Sequence, residues 1–175
     1  MREAVPPTPA RPRQEKPPPR RSPVRQAPEV VAVRPARRGD LDRVIAIDAA
    51  VTGLPKRSYW LSIYRRYSGA GRVGRYFLVA DSGGEVRGFI IGDVRDWEFG
   101  SPPCGWVFAI DVEPRFRVAG IGTRLLTAIC ANFRRAGVFK VRTILAHDNT
   151  LILSFFRSQG MMAAPFIPLE MDLEV

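Results

Sequence analysis

A strand that ends in a glycine-bearing loop and feeds a long amphipathic helix constrains this chain more than any other feature. The run is Ile110-Asp111-Val112-Glu113-Pro114-Arg115-Phe116-Arg117-Val118-Ala119-Gly120-Ile121-Gly122-Thr123. Beyond it, Ile121, Leu125, Ile129 and Phe133 recur at steps of four, with Leu126 beside them and Gly137 as a stop. That spacing predicts a helix over 121–136. Glycines at 120 and 122 let the backbone approach a ligand closely, while the free N–H groups and positive dipole end of the helix face any anion placed there. A loop of this kind binds phosphates. A Walker loop needs Gly-Lys-Ser/Thr, which does not occur in the sequence. A dinucleotide fingerprint needs a third glycine where Leu125 stands, after the first strand of a βαβ unit. Here the loop follows a succession of antiparallel strands.

Those strands are read from the breakers around them. The runs 76–80 and 86–94 are β-rich and are separated by Asp81, Ser82, Gly83, Gly84 and Glu85, a hairpin signal. A further strand is expected over 105–112, after the cluster Gly100, Ser101, Pro102, Pro103. Upstream, Val30 to Val33 reads as a short buried strand ending at Pro35. A helix opens at Gly39 and Asp40 and runs to Gly53, and a second covers 56–67 with Tyr59, Trp60, Ile63 and Tyr64. Downstream, 139–146 reads as a strand, Asn149 as the N-cap of a helix through Ser158, Gly160 as its stop, and 166–173 as a last strand. The expected order is β, α, α, β, β, β, α, β, α, β.

Composition divides the chain in two. Residues 1–29 hold nine prolines and seven basic residues against three acidic ones, with few large apolar side chains, so they are expected to form a disordered tail ahead of one folded domain over 30–175. Of the net charge of +10, +6 falls on that domain. A positive balance admits nucleic acid, acidic membrane surfaces and phosphate-bearing ligands alike. Cys104 and Cys130 have no metal-ligand spacing and no disulfide framework around them, which favours a reducing, cytoplasmic location, and no metal is expected. No apolar run reaches membrane-spanning length and the N-terminus lacks the apolar stretch of a secretory signal, so no membrane partner is expected.

The pattern Arg117-x-x-Gly120-x-Gly122 resembles the pyrophosphate loop of the GNAT superfamily of N-acetyltransferases. The resemblance covers about residues 30–175: the strand before the loop, the helix after it, the next strand, Asn149 at a helix start, and the run Ser154-Phe155-Phe156-Arg157-Ser158-Gln159-Gly160-Met161 all follow the family's order of elements. It implies an α/β (α+β) fold with a mixed, largely antiparallel sheet of six to seven strands and about four helices. It further implies transfer of an acetyl group from acetyl-CoA to a primary amine by direct attack through a tetrahedral intermediate. The strand carrying Ile110, Asp111 and Val112 is expected to hydrogen-bond the pantetheine arm through its backbone. Arg117, Val118, Ala119, Gly120, Ile121, Gly122 and Thr123 wrap the pyrophosphate, with Arg124 as a second cation, Asn149 touches the pantetheine and Phe156 lies near the thioester. The resemblance also admits a homodimer through the last strands.

The sequence departs from the family in two places. A tyrosine that often protonates the leaving thiolate is replaced by Phe156, and the strand position of a common glutamate base is held by Ile144. Glu98, in the turn Asp96-Trp97-Glu98-Phe99, is the preferred base, because the flanking aromatics could line an acceptor pocket and desolvate the carboxyl, while an exposed turn with its aromatics tucked into the core fits the same residues. Glu113 and Asp111 are the other candidates, and the lone His147 reads as a capping residue. Trp60 and Tyr64 suit core packing, while Tyr59 and Tyr67 suit packing or a groove wall equally. Two other classes stay open: a non-catalytic acyl-CoA-binding module, motivated by Phe156, and a nucleic-acid binder, motivated by charge but unsupported by any recognition motif.

Overall fold

The structure is a computed structural model that describes residues 30–69 and 73–173. The expected tail over 1–29 lies outside them. The described chain forms β1 (Val31–Pro35), α1 (Leu41–Thr52), α2 (Arg57–Tyr67), β2 (Arg75–Ser82), β3 (Glu85–Arg95), β4 (Cys104–Val112), α3 (Ile121–Arg135), β5 (Val141–Arg142) and α4 (Thr150–Ser158), with short 3-10 turns before α1, between β3 and β4, and between β4 and α3. The five strands lie in sequence order in one sheet. All neighbours are antiparallel except β4 and β5.

Alternation of side chains on β2 and β3 explains why the middle of each strand, residues 77–80 and 88–92, is apolar on both faces. Phe77, Val79, Phe89 and Ile91 pack with Val44, Ile47, Trp60 and Ile63 of α1 and α2 on one face. Leu78, Ala80 and Ile90 pack with Leu125, Ile129 and Phe133 of α3 on the other. Strands covered on both faces lose the polar half of their pattern. The α3 stripe is fully buried, each large side chain contributing about 1.5–3 kcal/mol relative to exposure. Gly53 and Gly137 stop α1 and α3 as expected, both at positive φ.

Two expectations need correction. The sheet has five strands rather than six to seven, because residues 166–173 form no strand. Phe166, Ile167, Leu169, Met171 and Leu173 stay largely exposed, and although the Arg142 guanidinium of β5 lies 4.3 Å from the Phe166 ring, the two segments form no strand pairing. The strand expected over 139–146 contracts to Val141 and Arg142. Its remaining residues run free of β4, and that separation makes the site.

Candidate active site

β4 and β5 pair only at Gly105 with Val141 and Trp106 with Arg142. Beyond Trp106 the two diverge, so residues 107–112 keep β3 on one edge and leave the other edge open. The junction itself is fixed by packing. A Cβ on Gly105 would lie 2.4–2.7 Å from ring atoms of Phe133, so only glycine lets β4 cross α3 at the junction. Gly105 N–H also donates to the Lys140 carbonyl at 2.8 Å, which pins the apex of the wedge. A register shift after Ile91 leaves Phe108 without a partner on β3 and turns the strand there.

The open edge looks onto a cleft of about 700 Å³. Its far wall is residues 143–146 and the α4 face of Ile152, Phe155 and Phe156. At one end stands the loop. Pro114–Ala119 form a 3-10 run, and Gly120 (φ 73°) turns the chain into α3. The first-turn N–H groups of α3 have no partner within the helix, so they face the cleft end as donors. Gly122 lets Phe155 close over the turn: a Cβ there would meet the ring at 3.0 Å. Arg117 is exposed and its Nε donates to the Val112 carbonyl at 3.4 Å.

Most residues singled out in the sequence meet here. Ile110, Asp111, Val112, Arg117, Val118, Gly120, Gly122, Thr123, Asn149 and Phe156 all line the cleft, while Ala119 and Ile121 flank it within the same turn. Asn149 caps α4, its Oδ1 accepting from Ile152 N–H at 3.3 Å. Phe156 is buried among core residues and shows only part of its surface to the cleft.

The other end of the cleft was hardly legible in the sequence. Asp48 on α1 is only 4% exposed, accepts from Trp60 Nε1 at 2.9 Å and pairs with Lys56 at 3.0 Å. Tyr59 stands beside them with Lys56 over its ring at 5.7 Å. Asp111 lies near this group. Burial and the charge of Asp48 push its carboxyl up to about 6, against the pull of Arg117 and Lys56. Asp48 carried no signal beyond a polar residue on the apolar stripe of α1.

The preferred base is not in this assembly. Glu98 sits in the exposed 3-10 turn before β4, 3.6 Å from Arg95, and does not line the cleft. Trp97 is 66% exposed and Phe99 fully so, so the turn forms no desolvated pocket. Glu113 is likewise unsuited. It is buried beneath the loop, where Arg115 (2.8 Å), Arg87 (3.1 Å) and Arg43 all donate to it. Burial pushes its carboxyl up, but the three arginines together hold it below the usual range. His147 is exposed outside the cleft, and Tyr67 is a core residue whose hydroxyl donates to Asp93 at 2.9 Å.

Comparison with known proteins agrees with this geometry. Residues 43–161 match the acetyltransferase (GNAT) family. A curated relative, mycothiol acetyltransferase of Salinispora arenicola, is 30% identical over 143 residues, covering 76% of this chain and 45% of its own length. The chain therefore spans about half of that relative. Among solved structures, aminoglycoside N-acetyltransferase AAC(6')-Iy in complex with CoA superposes with a TM-score of 0.73 at 17% identity, over 85% of this chain and 98% of that one. The aminoglycoside 6'-N-acetyltransferase AAC(6')-Ih of Acinetobacter baumannii gives 0.69 at 15%, over 83% and 100%. The diverging strands, the glycine turn into α3 and the family match over most of the described residues together make this chain a member of the GNAT family of N-acetyltransferases.

Proposed function

We propose that the domain of residues 30–175 transfers an acetyl group from acetyl-CoA to a primary amine of a small-molecule acceptor. The observation that carries this reading is the divergence of β4 from β5 over the N-terminal turn of α3, which joins an anion-binding loop, an open backbone edge and a carboxylate-bearing pocket in one cleft. The pyrophosphate is assigned to the amides of residues 117–123 and the Arg117 guanidinium, with Arg124 on the same turn. The amide-bearing pantetheine arm suits the unpaired edge of residues 107–112, because an extended chain with its own donors and acceptors can complete that ladder.

The thioester then reaches the middle of the cleft, between the two ends. An amine entering from the side of Asp48 and Tyr59 attacks the carbonyl carbon, and N–H groups of the open β4 edge are directed at the developing oxyanion. Holding both reactants in one cleft removes the cost of their encounter. With phenylalanine at 156, proton delivery to the departing thiolate falls to solvent or to the attacking nitrogen. The relatives named for aminoglycosides and for mycothiol support a small-molecule acceptor over a protein one. The test is titration calorimetry of the full chain with acetyl-CoA, followed by thiol release with a panel of amines. Micromolar binding and amine-dependent release are expected. Absence of binding by folded protein refutes the reading, and binding without release for any amine leaves only a donor-binding module.

A further inference from the structure

Three carboxylates stand in or beside the cleft, and two of them are committed. Asp48 is held by Trp60 and Lys56, and Glu113 by Arg43, Arg87 and Arg115. Among the described residues no hydrogen bond or ion pair engages the carboxylate of Asp111, although it lines the cleft. Strand alternation gives its direction. Ile110 and Val112 pack with the α3 cluster and Ala109 with the cluster of α1 and α2, so Asp111 points to the α1 and α2 side, where Asp48 and Tyr59 stand.

The charged groups facing it come from three elements: Asp48 of α1, Lys56 ahead of α2, and Arg117 of the loop. Asp48, Asp111 and Lys56 together carry one net negative charge when both carboxyls are ionised. Arg117 is the remaining cation, and the donor's pyrophosphate would neutralise it. With donor in place, the acceptor end therefore matches one incoming ammonium ion.

We propose that Asp111 is the catalytic residue that takes the proton from the acceptor ammonium, with Asp48 as its positioning partner. This rests on the acetyltransfer reading and names the base for it. The ammonium gives one proton to the Asp111 carboxylate. The freed nitrogen pair forms the C–N bond while the carbonyl pair moves to oxygen. Collapse re-forms the carbonyl and breaks the C–S bond, and the second nitrogen proton passes to the departing thiolate. Asp111 returns its proton to solvent, giving amide, free thiol and one released proton.

A carboxylate near 6 receives a proton from an α-ammonium (about 7.7–8.0) across roughly two units, but from an alkylammonium of lysine type (about 10.4) across more than four. The experiment uses the full chain with saturating acetyl-CoA and two probe acceptors, glycinamide and butylamine, from pH 5 to 9. We expect kcat/KM for glycinamide to rise through an apparent pKa near 6. Asp111→Asn should lower kcat by ~100-fold or more and abolish the acid limb, leaving acetyl-CoA affinity within about twofold. Asp48→Asn should move that limb to lower pH while turnover persists. Carbon-13 titration of the Asp111 carboxyl, assigned by its absence in Asp111→Asn, should show the same midpoint without any turnover. An active wild type whose acid limb and kcat survive in Asp111→Asn overturns the inference alone. A wild type that binds acetyl-CoA but acetylates neither amine overturns the acetyltransfer reading with it.

Discussion

Gly120 separates backbone strain from charge at the site assigned to the pyrophosphate. Its φ of 73° lies in the left-handed region, and a Cβ built there meets nothing within 4 Å. Gly120→Ala therefore carries only the left-handed penalty, about 1–2 kcal/mol, which should lower Tm by a few degrees. Gly120→Glu carries the same penalty plus a carboxylate beside the loop amides. Placed about 5 Å from two phosphate charges, that carboxylate costs about 1.7 kcal/mol at the dielectric of water and about 3 kcal/mol at an intermediate value. The glutamate variant should bind acetyl-CoA roughly 20- to 200-fold more weakly than the alanine variant. Titration calorimetry of both against wild type reads the difference, and thermal melts show that both fold. The comparison of interest is alanine with glutamate, because the strain cancels. If the two bind acetyl-CoA equally, the pyrophosphate does not sit at this turn.

Asp111 also has a stability consequence. Its folded carboxyl is raised to about 6 from an ordinary 3.8, so its contribution is fully favourable below about pH 4 and is lost as pH rises to about 6. Asp111→Asn should thus raise stability by about 1–3 kcal/mol at pH 8 and change it little at pH 4, measured by urea unfolding; a gain at pH 4 equal to that at pH 8 would contradict the assignment. Glu113 has the opposite sign: its folded carboxyl is held below the usual range, so its contribution is present at neutral pH and lost as pH falls through the ordinary carboxylate range. Glu113→Gln should lower Tm at pH 7 and converge with wild type in acid. Gly105→Ala drives a methyl group into the buried Phe133 ring and should cost about 1–3 kcal/mol, partly recovered by Phe133→Leu in urea titrations.

Periodicity and breakers carried much of the fold. The stripe from Ile121 to Phe133, the Gly83-Gly84 hairpin and the stops at Gly53 and Gly137 are local signals, because each depends on residues within one or two turns of one another. The alternation over 166–173 was misleading for the same reason. Alternating residues make a chain able to be a strand, but only backbone pairing with a sheet edge makes it one, and residues 166–173 do not pair with the edge at β5. The contraction of the strand expected over 139–146 was hidden too, since the contact between Gly105 and Phe133 that sets the junction joins residues far apart in sequence.

The candidate site divides along the same line. The sequence alone determined the glycine turn between Arg117 and Thr123 and its entry into α3, because glycine conformations and helix N–H donors are properties of a short segment. Tertiary structure decided which carboxylates share the cleft. Glu98 sits among aromatics in sequence yet ends exposed beside Arg95, whereas Asp48, an unremarked residue of α1, is buried near Asp111 because α1 packs on the face of the sheet to which Asp111 points. Charge and desolvation act through space, so the surroundings of each carboxyl were fixed only when distant segments packed together.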